Sequence, residues 1–118
     1  MPDTTIAVEV VRPEFTRLVD PDATLTEVAS RMGFTEGCCY VALGDYLVWS
    51  DIPNNRIMRW SERDGVSVLR EPSGNTNGNT VDIEGRLLSC EMGGRRVSRT
   101  NADGSVSTLV DKYHGKLL

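Results

Sequence analysis

Two dipeptides, Glu36-Gly37 and Asn77-Gly78, place an acid and a carboxamide beside a glycine at corresponding points of the chain. A carboxylate and an amide carbonyl are hard oxygen donors, suited to Ca²⁺ or Mg²⁺ and acceptable to Zn²⁺. Brought to one place, Glu36 would be a metal ligand and Asn77 a neutral oxygen or amide beside it. The plainer alternative leaves Glu36 solvated and makes Asn77 the positive-φ residue of an Asn-Gly turn, a common turn pair. Other reactive side chains carry less. His114 is the single histidine and has no acid or nucleophile in view. Cys38, Cys39 and Cys90 lack metal-ligand spacing, so each is expected to be a small buried hydrophobe. Arg95 and Arg96 could clamp an anion, but Arg56 recurs at the position of Arg96, which favours a structural role at the solvent edge. Trp49 and Trp60 suit strand packing. No G-x-S-x-G, P-loop or H-E-x-x-H is present.

The elements that must hold these residues announce themselves by repetition. Leu47 to Arg70, LVWSDIPNNRIMRWSERDGVSVLR, lands without a gap on Leu87 to Val110, LLSCEMGGRRVSRTNADGSVSTLV, when moved forward by 40 residues. Asp51 meets Glu91, Arg56 and Arg59 meet Arg96 and Arg99, and Leu69 meets Leu109. A period of roughly 40–45 residues made of short alternating strands is the mark of a four-stranded propeller blade. Apolar spacing at i, i+3, i+4 and i+7, which helical repeats need, is missing. The fold class is therefore all-β, β-propeller blades. The first blade is predicted as Cys38–Leu43, Leu47–Ser50, Arg56–Trp60 and Val66–Arg70. The second is predicted as Thr80–Ile83, Leu87–Glu91, Arg96–Thr100 and Val106–Asp111. Asp64-Gly65, Asp103-Gly104, Pro53-Asn54-Asn55 and Gly93-Gly94 are read as supplying the left-handed residues of the hairpins. Ser73–Asn79 reads as a polar linker between blades, running toward the axis. First strands line the channel of a propeller, so Glu36 and Asn77, just ahead of them, would converge on an axial site.

Residues 1–32 read as a lead-in containing a β-prone run, Ile6 to Val11, a helical turn at Pro13–Leu18 and a turn at Asp20-Pro21-Asp22. Leu25 to Met32 has helical spacing behind a Thr24/Glu27 capping box, yet could equally be the outer strand of a closing blade. The strand reading is preferred. Residues 33–118 hold the two blades. Propellers close with typically four to eight blades, so 118 residues suggest a portion of a longer chain. Alone, an open pair of blades is expected to be aggregation-prone.

A net charge of -4 and a pI near 4.9 argue against a nucleic-acid partner, which calls for a basic face. No window of 18 apolar residues offers a membrane span. Three cysteines, two of them adjacent, make a disulfide framework a poor fit and favour a reducing, cytoplasmic compartment.

The residues also carry a resemblance. Phe34-Thr35-Glu36-Gly37, Trp49 through Ile57 (WSDIPNNRI), Gly74 through Asp82 (GNTNGNTVD) and Gly85 through Val97 (GRLLSCEMGGRRV) resemble the senescence marker protein / gluconolactonase / luciferin-regenerating enzyme family. That resemblance implies a six-bladed propeller with a divalent metal on its axis, Ca²⁺ or Zn²⁺ with Mg²⁺ acceptable, hydrolysing a sugar lactone. It puts Glu36 at the family's first metal-ligating carboxylate and Asn77 at a polar position facing the substrate. Further ligands, an Asn and an Asp, would lie in later blades. Two departures bear on substrate choice: Cys38 stands where the family usually has Pro, and Met92 where close relatives have His. A non-catalytic binding or scaffold propeller with a structural ion, or an inactive remnant, are the alternatives.

Overall fold

The computed structural model describes residues 3–118. It divides into two compact units, Met1–Ser30 and Arg31–Leu118. In the first unit β1 (Asp3–Thr5) pairs antiparallel with β2 (Thr24–Thr26), and Pro13–Arg17 forms a 3₁₀ turn with Pro at its start. The β-prone run Ile6 to Val11 is not a strand; the pairing in this unit is made by Asp3–Thr5 just before it. Of the ambiguous segment Leu25 to Met32, only Leu25 and Thr26 are in strand, as part of Thr24–Thr26. Nothing beyond it is regular, and Arg31, at φ 61°, turns the chain left-handed.

The second unit holds two four-stranded antiparallel blades. In the first, β3 (Thr35–Val41), β4 (Tyr46–Asp51), β5 (Arg56–Ser61) and β6 (Gly65–Arg70) pair in chain order. In the second, β7 (Thr76–Val81), β8 (Leu87–Glu91), β9 (Arg96–Thr100) and β10 (Val106–Val110) do the same. A small hairpin, β11 (Lys112–Tyr113) and β12 (Lys116–Leu117), follows.

The inner strands match the sequence expectation closely, whereas both first strands begin earlier than expected. Thr35 to Gly37 and Thr76 to Asn79 are in strand, so much of the polar linker is strand as well. Both segments are bulged, with register shifts between Glu36 and Cys39 and between Thr76 and Asn79. A bulge accommodates glycine and asparagine that would otherwise weaken a ladder. Gly65 and Gly104 are left-handed as expected. Between the second and third strands of the second blade, however, the left-handed residue is Arg95, as Asn55 is in the first. Gly93 and Gly94 serve another need. A Cβ on Gly94 would collide with the Glu91 carboxylate, and one on Gly93 would lie 2.9 Å from Asn75 Oδ1.

The apolar core lies between the blades. Val41, Val48 and Ile57 of the first meet Leu87 of the second, with Leu69 and Val81 against them. Each such aliphatic side chain contributes roughly 1.5–3 kcal/mol by leaving water. Among the described residues the buried set holds six hydrophobic side chains and seven polar or charged ones, so apolar packing alone does not hold the unit. Burying polar groups costs stability unless each is bonded. Every buried side-chain nitrogen and oxygen described here has a partner.

Candidate functional site

Two acids at the same place in the repeat organise that polar interior. Asp51 ends β4 fully buried, accepting from Arg56, from Asn54 Nδ2 at 2.8 Å and from the Gly33 N–H at 2.9 Å. Burial pushes its pKa up, but the Asn54, Gly33 and Arg56 hydrogen bonds outweigh that and hold it below the usual carboxylate range. Glu91 ends β8 and binds Arg96 through both oxygens, at 2.8 and 3.1 Å. It also binds Arg70, which reaches over from the first blade and bonds Ser98 as well. Burial again pushes upward, and the side chains of Arg96, Ser98 and Arg70 overcome it, bringing Glu91 down to about 2. The arginines expected at the solvent edge, Arg56 and Arg96, are thus the partners of buried acids.

This framework brings together the strand segments that carry the two expected site residues. Glu36 stands opposite Ser50 of β4, exposed on the bulge of β3. Among the described residues its carboxylate makes no hydrogen bond or ion pair. Gly37 beside it is left-handed at φ 62°, and a Cβ there would collide with the backbone carbonyl of Asn77. Glycine is needed twice over, for conformation and for the close approach of the first strands. Asn77 does not take up the positive-φ turn that its Asn-Gly pair suggested. It lies in β7, half-buried, with Oδ1 accepting from the Gly78 N–H at 2.6 Å. It opens on a shallow depression of about 440 Å³ shared with Cys90, Met92, Arg95 and Arg96.

The remaining candidates stay apart from this place or prove structural. Cys38 and Cys90 are exposed and Cys39 half-buried, so none is the buried hydrophobe expected: Cys38 sits in the bulge of β3, and strand alternation turns Cys90 outward from β8. His114 is exposed at the tip of the last hairpin, edge-on to Tyr113. Trp49 is buried in β4, as packing required. Among the described residues no three His, Cys, Asp or Glu side chains converge as a metal site would need. A hard divalent ion wants six or more oxygens. Glu36 can be one ligand of such an ion but cannot hold it alone.

Sequence reasoning missed the side chains that tie the two bulges together. Asn79 donates Nδ2 to the Gly37 carbonyl at 3.1 Å and to Ser50 Oγ at 2.8 Å, while its Oδ1 accepts from Ser89 Oγ at 2.8 Å. The available signal was a carboxamide at the position where the first blade has Cys38.

Two bulged first strands set side by side, each heading a four-stranded antiparallel sheet, define a pair of propeller blades. The chain belongs to the family described as the SMP-30/gluconolactonase/LRE-like region, which matches residues 34–117. A curated gluconolactonase from Zymomonas mobilis is 27% identical, aligned over 88% of this chain and 33% of its own. A solved gluconolactonase structure from Xanthomonas campestris is 32% identical with a TM-score of 0.84, covering all of this chain and 40% of that one. A virginiamycin B lyase from Staphylococcus aureus, 16% identical with a TM-score of 0.62, shares the fold over 81% of this chain and 33% of its own. The chain thus spans a third to two fifths of the length of these relatives. Among the described residues no helix is long and apolar enough to cross a membrane.

Proposed function

We propose that this chain is part of a metal-dependent sugar-lactone hydrolase of the gluconolactonase type, acting in the cytoplasm, with Glu36 as a metal ligand and Asn77 facing the substrate. The observation that supports the reading is the close approach of Gly37, next to Glu36, to the backbone carbonyl of Asn77, which runs the two strand segments carrying these residues side by side. Free thiols on the surface suit the reducing compartment.

In this reading Glu36 holds its ion, Ca²⁺, Zn²⁺ or Mg²⁺, together with oxygen donors from parts of the protein outside this chain. The bound ion supplies Lewis-acid polarisation and an acidified water. The Asn77 Nδ2 group has no protein partner among the described residues, and in this reading it donates to a sugar or lactone oxygen. Met92, in the same depression, lines the entrance with a thioether and narrows the choice of substrate by shape. The N-terminal unit would contribute the outer strand of a closing blade.

The test uses the protein at the length of its relatives. Calorimetric titration with Ca²⁺ and Zn²⁺ is combined with a pH-stat assay on gluconolactone. Glu36→Gln is expected to lower metal affinity by more than about 100-fold, the most that a merely supporting residue costs, and to abolish turnover. Full activity in that variant would overturn the assignment. Metal binding without turnover on any sugar lactone would favour a binding propeller with a structural ion.

A further inference from the structure

We infer that Asn79 is the positioning residue of this site: its carboxamide fixes the Glu36-Gly37 bulge of the first blade against the second, and so sets where Glu36 stands relative to Asn77. The inference rests on the proposed roles of Glu36 and Asn77, but its geometry stands without them. All three polar contacts of Asn79 are to groups that matter here. The Gly37 carbonyl belongs to the residue after Glu36, Ser50 lies opposite Glu36 across the β3–β4 ladder, and Ser89 lies on β8 of the other blade.

The orientation of the amide is dictated rather than chosen. A backbone carbonyl can only accept, so Nδ2 must face Gly37 and Oδ1 must face Ser89, whose hydroxyl donates. Ser50 and Ser89 are at most 1% exposed, so water does not compete for either hydroxyl. Gly37 needs such an anchor. Its left-handed bulge breaks the ladder between Glu36 and Cys39, and the chain would otherwise be free to shift where the carboxylate is carried. Asparagine is the side chain of this size with a donor at one end and an acceptor at the other.

Asn79→Asp is the discriminating variant, because it keeps the shape and replaces the donor with an acceptor. Above the carboxyl pKa two oxygens face each other across the Gly37 contact. On acidification the protonated carboxyl can donate again. In the protein at the length of its relatives, Asn79→Asp is expected to move the backbone amide resonances of Glu36, Gly37 and Cys38 at neutral pH and to return them toward wild type near pH 4. Ser89→Ala, which leaves the Gly37 bond intact, is expected to lower stability without moving those three resonances. If Asn79→Asp does not fold, Asn79→Ala serves, with the same resonances displaced at every pH. In the same protein, Asn79→Asp should weaken calorimetric Ca²⁺ affinity by roughly ten- to a hundredfold, the range for residues that orient a ligand, with Asn79→Gln falling between Asn79→Asp and wild type. Unmoved resonances at Glu36 and Gly37, or equal displacement in Ser89→Ala, would overturn the inference. Displaced resonances with a fully active Glu36→Gln protein would instead uphold Asn79 as the anchor of the bulge and reject the role given to Glu36.

Discussion

The two blades solve one problem in two ways. Each closes its second and third strands over an acid and an arginine five residues on, Asp51 with Arg56 and Glu91 with Arg96. In the first blade the rest of the acid is satisfied at home, by Asn54 and by the backbone of Gly33 and Phe34. In the second, one more methylene carries the carboxylate far enough to take Arg70 from the neighbouring blade. Asp51 therefore finishes a blade, whereas Glu91 joins two. The linkers echo the difference. Asn55 Oδ1 accepts from Ser73 and Asn75 of the segment leading to the second blade, while Arg95 at the same place donates to the Leu118 carbonyl.

Removing the two acids should separate these roles. Glu91→Ala leaves Arg70 and Arg96 without their buried partner, and breaking a buried pair by taking one side costs about 3–5 kcal/mol. That is a large part of the 5–15 kcal/mol typical of a whole domain. Both tryptophans, Trp49 and Trp60, lie in the first blade, so tryptophan fluorescence follows that blade while far-ultraviolet dichroism follows both. In urea, Glu91→Ala is expected to split the two probes into separate transitions, with Asp51→Ala lowering the midpoint but keeping them together. Coincident transitions in Glu91→Ala would remove the distinction between finishing and joining.

Acid should act on the same contact with a smaller effect. The pKa of Glu91 falls from an ordinary 4.5 in the unfolded chain to about 2 in the folded one. A depressed carboxyl stabilises fully above its unfolded pKa, and the contribution drains away as pH falls through the folded value. Stability should thus decline between about pH 4.5 and pH 2, and Glu91→Gln should flatten that limb in a series of urea melts. A limb as steep in Glu91→Gln as in wild type would assign the acid sensitivity to other carboxylates, Asp51 first.

The smallest effect is expected where an ion pair has no neighbours to serve. Arg63 pairs with Asp64 at 2.8 Å, with 87% of the arginine side chain in water. Exposed pairs contribute little, so Arg63→Ala should leave the urea midpoint within error. A clear shift would mean that pairing in itself, rather than burial between blades, stabilises this unit.

How much of this was legible depends on the distance over which each signal acts. The ungapped echo fixed β4, β5, β8 and β9 nearly to the residue, because alternation and hairpin turns are local. Glu36 and Asn77 were legible as candidates by residue type, and the approach of the segments that carry them followed from equal places in the repeat. The positive-φ turn offered as the plainer alternative for Asn77 is not formed, because a bulged strand and a turn draw on the same residues, glycine and asparagine. Arg96 was read as a surface residue because its partner was known to recur without being known to be buried. Arg70 and Asn79 were invisible for a deeper reason. Each acts across the seam between blades, where Arg70 meets Glu91 and Asn79 meets Gly37, and no periodicity within one blade registers such contacts.

The order in which strands pair also bears on how the unit assembles. Within each blade every strand bonds the next one in the chain, and no pairing crosses over another. Bringing neighbours together across short turns asks little loop-closure entropy, so the mean sequence separation of contacts stays low for an all-β protein. The seam spans more of the chain, from 21 residues between Arg70 and Glu91 to 42 between Gly37 and Asn79. As the chain leaves the ribosome, the first blade can therefore complete its ladder before the second is made, and then present Arg70 and the Gly37 carbonyl as a template on which β7 and β8 dock. Assembly of this kind proceeds by nearest neighbours, like a solenoid closing one repeat at a time, and the order of synthesis becomes the order of folding.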